Sequence, residues 1–197
     1  DDTLSWRSHI NRLTRSIAPI CGLIRKLSYF VPTKILLNIY FAHVHSKLQY
    51  LVSIWGSAPK TVIQKLSVLQ NKTLRGVYKL PYTFPKVQLY ADKAKNILPV
   101  QALHDFRKLK HIFKITGLTG THSNQELRRQ SHSHNTRRSN NFQLHRIRTE
   151  YGRKRLSYIG TLMFNNLPNN LRNLTNLKLF TQRLKKYLSD SLLRYFS

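Results

Sequence analysis

The chain has 197 residues, 41% of them hydrophobic, which suits one domain of ordinary size or a helical body with a small appendage. Its 34 Lys and Arg stand against 7 Asp and Glu, a formal net charge of +27. A field of that size makes the compact state repel itself and is relieved by a polyanion, so nucleic acid leads as partner and an anionic membrane surface comes second.

Reading from the start, Asp1 and Asp2 form an adjacent acidic pair. A two-metal nucleotidyl-transfer site needs several carboxylates converging from different parts of the chain. Asp92, Asp105, Glu126, Glu150 and Asp190 each stand alone in the sequence, so the pair reads as favourable charge at a helix start rather than as a catalytic site. From Trp6 the apolar residues Ile10, Leu13, Ile17, Ile20, Ile24 and Leu27 follow at alternating spacings of four and three. This predicts a helix packed against another helix, with Ser5 as N-cap and Trp6 buried. Pro19 predicts a kink or break near Ala18. Cys21 is the single cysteine and lies beside the apolar stripe. It reads as core, and it excludes an intrachain disulfide or a cysteine-based zinc finger, in keeping with a reducing, intracellular setting.

Pro32 suits the first position of a second helix carrying Ile35, Leu36, Ile39 and Tyr40 on one side and running to Trp55 and Gly56. The apolar run within it is interrupted by Asn38, His43, His45, Ser46, Lys47 and Gln49, which does not suit a membrane span. Its His43 and His45 lie two apart, and on a helix such residues point away from each other, so polar surface is favoured over zinc. Pro59 opens a third helix with Ile63, Leu66, Leu69, Leu74 and Val77, closed by Pro81 and Pro85. Two more are predicted, over Lys86 to Asn96 and from Val100 to Ile115, the latter with Leu103, Phe106, Leu109, Ile112 and Phe113 as its stripe. No segment before residue 116 alternates with period two, so strands are not expected there.

The composition then changes. Between Thr116 and Asn141 Ser, Thr, Asn, Gln, His and Arg dominate, and a segment that buries so little cannot offset its ordering entropy. The expectation is a basic polar linker over 116–150, with order returning near Tyr151. The linker's His132 and His134 have no cysteine partner for zinc. A small C-terminal element over 151–197 is expected to hold a short extended piece, a turn at Asn165 to Pro168, and a final amphipathic helix with Thr175 as N-cap and Leu177, Phe180, Leu184 and Leu188 on one side. The fold class is therefore mainly α: a helical bundle over 1–115, the linker, and the small element.

The basic clusters are the candidate binding residues: Arg128 and Arg129, Arg137 and Arg138, Arg146 and Arg148, then Arg153, Lys154 and Arg155, with Lys72 and Arg75 on the third helix. The guanidinium fork pairs bidentately with phosphate oxygens, and an excess of cations this large over Glu126 and Glu150 favours phosphate contact over mere solvated surface.

Several motifs resemble one family. The opening "DDTLSWRSHI" is similar to the segment that follows the palm domain in reverse transcriptases of non-LTR retrotransposons, particularly jockey-like elements. "CGLIRKL" at 21–27, "IYFAHVHSKLQYLVSIWGSA" at 39–58, "LQNKTLRGV" at 69–77, "YIGTLMFNNLPNNLRN" at 158–173 and "LKLFTQRLKKYL" at 177–188 follow in the same order, and the likeness is strongest at Asn166 to Pro168. Phe164 stands where that family often has Trp. The resemblance implies a thumb and downstream region of an RNA-directed DNA polymerase, gripping template RNA and nascent DNA or an RNA–DNA hybrid. Fingers, palm and the metal-binding carboxylates would lie upstream of residue 1, an implication that agrees with a chain beginning on Asp. The fragment would hold no cofactor and no active site of its own, would not polymerise alone, and the parent would use Mg²⁺, acting in the nucleus on chromosomal DNA. The alternative expectation is a free-standing basic RNA-binding or scaffold protein, such as a domesticated relic of an element. A helical protein bound to a membrane surface leaves the aromatic and proline motifs unexplained.

Overall fold

The computed structural model describes residues 5–118, 141–144 and 146–196. It is mainly helical, and none of the described residues forms a strand ladder. No helix among them is long and apolar enough to cross a membrane. The chain divides into two compact units, one made of Asp1–Asp105 with Tyr187–Ser197 and the other of Phe106–Lys186.

In the first unit α1 (Arg7–Leu27) packs along α5 (Lys60–Val77). Of the predicted stripe, Ile10, Ile17 and Ile24 are fully buried, one every seven residues, while Leu13, Ile20 and Leu27 are half-exposed. That is the signature of a narrow helix–helix seam rather than a broad core face. The helix does not break at Pro19. A proline inside a helix costs about 3 kcal/mol, and here the buried isoleucines on both sides of it hold the two halves in line against α5. Ser5 is not the cap. Trp6 takes that place in a left-handed conformation (φ 56°) with no side-chain cap bond, and it is half-buried instead of buried. Cys21 is likewise half-buried.

The second predicted helix is a series of pieces. Pro32 lies one position earlier than expected, capping α2 (Thr33–Tyr40). A π-helical turn comes next over Phe41–His45, where the Ser46 N–H donates to the Phe41 carbonyl five residues back. Then come α3 (Ser46–Gln49), a reversal at Leu51 (φ 49°) and α4 (Val52–Trp55). Leu36 and Tyr40 are buried, but Ile35 is 51% exposed, because it lies off the face that meets the bundle. Trp55 is buried and donates its Nε1–H to the Tyr50 carbonyl at 2.6 Å.

On α5, Gln70 is fully buried and fully engaged. Its Nε2 donates to the Tyr40 hydroxyl (3.1 Å) and the Leu98 carbonyl (3.0 Å), and its Oε1 accepts from the Val100 N–H (3.0 Å). The segment predicted as one helix over Lys86 to Asn96 is instead α6 (Lys86–Gln88) running into a second π-helical turn, Leu89–Lys93, ahead of α7 (Val100–Leu118). The C-terminal residues close the unit: the Tyr195 hydroxyl donates to Asp105 Oδ2 (2.9 Å), and the Phe196 ring lies 5.6 Å from that of Tyr90.

In the second unit packed structure is present from Asn141, ten residues before the expected point, because Phe142 has somewhere to go. Its ring is buried against Phe164 (5.5 Å), and its backbone N–H and carbonyl both pair with the side-chain amide of Asn165, at 2.9 Å each. The expected extended piece is helical, as α8 (Glu150–Arg153) and α9 (Leu156–Asn165). The turn at Asn165 to Pro168 is present, with Leu167 buried and Pro168 capping α10 (Asn169–Arg172). Asn176, one residue after the expected cap, opens α11 (Leu177–Asp190), its Oδ1 accepting from the N–H groups of Lys178 and Leu179. Phe180 is buried at the centre, stacked on Phe113 at 3.9 Å and 6.3 Å from Phe164. Gly160 lets α9 approach α7 closely, since a Cβ there would lie 2.7 Å from Ile112 Cγ1.

Candidate nucleic-acid interface

Arg146, Arg148 and Arg153 line one pocket of about 610 Å³ in the second unit, together with Leu144, Ile147 and Tyr158. Local chemistry brings them together. Thr149 caps α8, its Oγ1 accepting from the Gly152 N–H at 3.1 Å, which places Arg153 one turn into the helix. Ile147 then folds back onto Gly152 so closely that a Cβ at 152 would meet Ile147 Cγ2 at 2.3 Å. Only glycine allows that approach, and it sets the segment carrying Arg146 and Arg148 against the helix carrying Arg153. All three arginines are exposed, and no carboxylate among the described residues lines the pocket. Like charges gathered in this way repel one another unless an anion lies between them, and guanidinium groups are suited to bidentate capture of phosphate. Tyr158, half-buried on α9, adds an aromatic ring to the wall.

The other sequence candidates separate. Lys154 does not line the pocket; it pairs with Glu150 at 3.0 Å and lies 5.7 Å from the Tyr151 ring centre. Arg155 is exposed at the cap of α9. In the first unit, Arg75 is a structural cation: Nε and Nη2 both donate to the Phe84 carbonyl, at 2.9 and 2.7 Å, and tie the Pro81–Pro85 loop to α5. Lys72 is exposed, and with Arg75 it flanks the Tyr82 ring at 5.5 and 5.8 Å, leaving Tyr82 itself 67% exposed. Arg128, Arg129, Arg137 and Arg138 lie outside the described residues, as do Asp1, Asp2, His132 and His134. Tyr158 and Tyr82 were missed from sequence. Each had a weak signal in being an aromatic close to a basic cluster, "RKRLSY" and "KLPYTFP".

Asp105 is engaged by His104 Nδ1 (3.2 Å) and the Tyr195 hydroxyl, and Glu150 by Lys154. No group of three or more His, Cys, Asp or Glu among the described residues is placed to hold a metal. His43 is exposed and His45 half-buried. No protein-family model, no curated protein and no solved structure matches the chain.

Proposed function

We propose that this chain holds nucleic acid by its phosphates, as the thumb and downstream region of a non-LTR reverse transcriptase whose Mg²⁺-dependent chemistry is carried by an upstream palm. The observation that carries the nucleic-acid part is the convergence of Arg146, Arg148 and Arg153 on one pocket that no described carboxylate lines. The net charge of +27 supports it, and the ordered run of motifs supports the parentage. In this reading the site positions an RNA template or RNA–DNA hybrid, in the nucleus, through backbone contacts that are indifferent to sequence.

The test is a titration of a labelled RNA–DNA hybrid at several salt concentrations. Binding through phosphates releases counterions, so log affinity falls linearly with log salt, by about 0.9 per phosphate contacted on a duplex. Changing Arg146, Arg148 and Arg153 together to Gln should flatten the slope by about one unit for each phosphate no longer neutralised. The control replaces Lys178, Arg183 and Lys186, exposed cations of α11, with Gln, and should flatten it much less. Equal effects of the two triple variants would reduce the pocket to one part of a diffuse positive surface.

A further inference from the structure

The first unit carries a second pocket, of about 400 Å³, formed where α1 faces the Ser46–Tyr50 segment. We infer that it binds a planar aromatic ring bearing a phosphate, a ligand of the mononucleotide class. The inference goes beyond the phosphate grip of the second unit and does not depend on it, because the two pockets share no residue.

Its lining combines two chemistries. Leu13 and the Tyr50 ring, the latter 67% exposed, supply apolar and aromatic surface on which a flat ring can lie. Arg12 and Lys47 supply positive charge, and among the described residues no Asp or Glu lines the pocket to compete for it. Lys47 is positioned: Nζ donates to the Ser16 carbonyl at 3.1 Å, which holds the ammonium at the wall while leaving further N–H donors for an anion. The hydroxyls of Ser16 and Ser46 already donate to the carbonyls of Leu13 and Ala42. They therefore present lone pairs to the pocket and can accept from ligand hydroxyl or amino groups. A volume of this size suits a ligand of nucleotide dimensions.

Two backbone features place these groups. The π-helical turn Phe41–His45 adds a residue to the turn and so rotates the downstream residues by about 100° relative to an unbroken α-helix, bringing Lys47 onto α1. Leu51 reverses the chain immediately after Tyr50 in a left-handed conformation (φ 49°) that is strained for a residue with a Cβ. The bond from Trp55 to the Tyr50 carbonyl holds that reversal. Strained non-glycine residues and π turns concentrate at ligand sites, and here both flank one pocket.

The pocket also has a built-in reporter. His9, on its wall, lies 6.3 Å from the Trp6 ring and 6.2 Å from the Trp55 ring, and these are the chain's two tryptophans. Adenosine 5′-monophosphate titrated into the full chain should give a saturable change in tryptophan emission, with binding heat in parallel. Adenosine without the phosphate should bind about tenfold more weakly. Arg12→Gln and Tyr50→Ala, both at exposed positions, should each weaken binding by a similar factor while the circular dichroism stays unchanged. Lys178→Gln, an exposed cation of α11 that lines neither pocket, should leave it unaltered. A 5′-phosphorylated oligonucleotide separates the two sources of such a ligand: tenfold tighter binding than the monophosphate, lost in Arg12→Gln, assigns the pocket to a strand end, and equal binding assigns it to a free nucleotide. No saturable change with the monophosphate, or binding that survives both Arg12→Gln and Tyr50→Ala, would overturn the inference.

Discussion

Replacing Gln70 with leucine keeps the side chain's approximate volume and apolar reach but removes both ends of a buried amide bridge. Three groups lose their partner: the Val100 N–H, the Leu98 carbonyl and the Tyr40 hydroxyl, on residues exposed by 0%, 3% and 0%. A buried polar group left unsatisfied costs about 1–3 kcal/mol, so the substitution should destabilise by about 3–6 kcal/mol after allowance for partial relaxation and for the apolar gain of leucine. That is a large fraction of the stability of a typical domain. Urea denaturation followed by circular dichroism would measure it, and Tyr40→Phe supplies the second edge of a double-mutant cycle. Because the Tyr40 hydroxyl and Gln70 Nε2 are direct partners, the two changes should not add. A loss below about 1 kcal/mol for Gln70→Leu would mean that the amide does not bridge α5 to the 98–100 segment, and strict additivity with Tyr40→Phe would mean that Gln70 and Tyr40 are not partners.

Two further outcomes test the packing. Burial pushes the Tyr40 hydroxyl well above its ordinary value of 10.0, opposed in part by the Gln70 bond and aided by Tyr78, and burial likewise raises Tyr90, with the neighbouring Tyr40 adding to the rise and Arg75 reducing it. Since the folded state holds these protons more tightly than the unfolded chain, their stabilisation is complete below pH 10 and is lost as pH rises beyond it, at up to about 1.4 kcal/mol per pH unit for each tyrosine. Alkaline unfolding should therefore be steep, and Tyr40→Phe with Tyr90→Phe should move it to higher pH; an unmoved midpoint would contradict the burial. In the second unit, Gly160→Ala drives a Cβ to 2.7 Å from Ile112 Cγ1 and 2.9 Å from Cδ1, an overpacking of about 1–3 kcal/mol in thermal or urea unfolding that Ile112→Ala should partly relieve.

Many of the helices were legible in the chain because helical periodicity is a local property. The stripe from Ile10 to Ile24, the third helix from Lys60 and the last helix all declare themselves by spacing; Ile10, Ile17, Ile24, Ile63, Leu66, Leu74, Val77, Phe180, Leu184 and Leu188 are buried as expected, while Leu13, Ile20 and Leu69 are half-exposed. Local rules failed where a distant partner decided. Pro19 does not break α1 because α5 holds the helix on both sides of it, and the expected extended piece after Tyr151 is helical. Gln70 carries no periodic signal, and only the arrival of Tyr40, Leu98 and Val100 makes it a bridge.

The sites divide in the same way. Charge composition by itself gives a strongly positive chain and marks Arg146, Arg148, Arg153, Lys154 and Arg155 alike, since net charge depends on counting and not on position. Tertiary structure sorts them: Gly152 admits Ile147 and so gathers Arg146, Arg148 and Arg153 around one space, while Glu150 takes Lys154 and the Phe84 carbonyl takes Arg75. The pocket beside α1 had no sequence signature, because Arg12 and Lys47 belong to separate helical segments and face each other only through a π-helical turn that no periodicity announces. Composition set the net charge of this chain. Close approach at Gly152 and the turn at Phe41–His45 decided which cations stand together, because distance between side chains is set by packing and not by order along the chain.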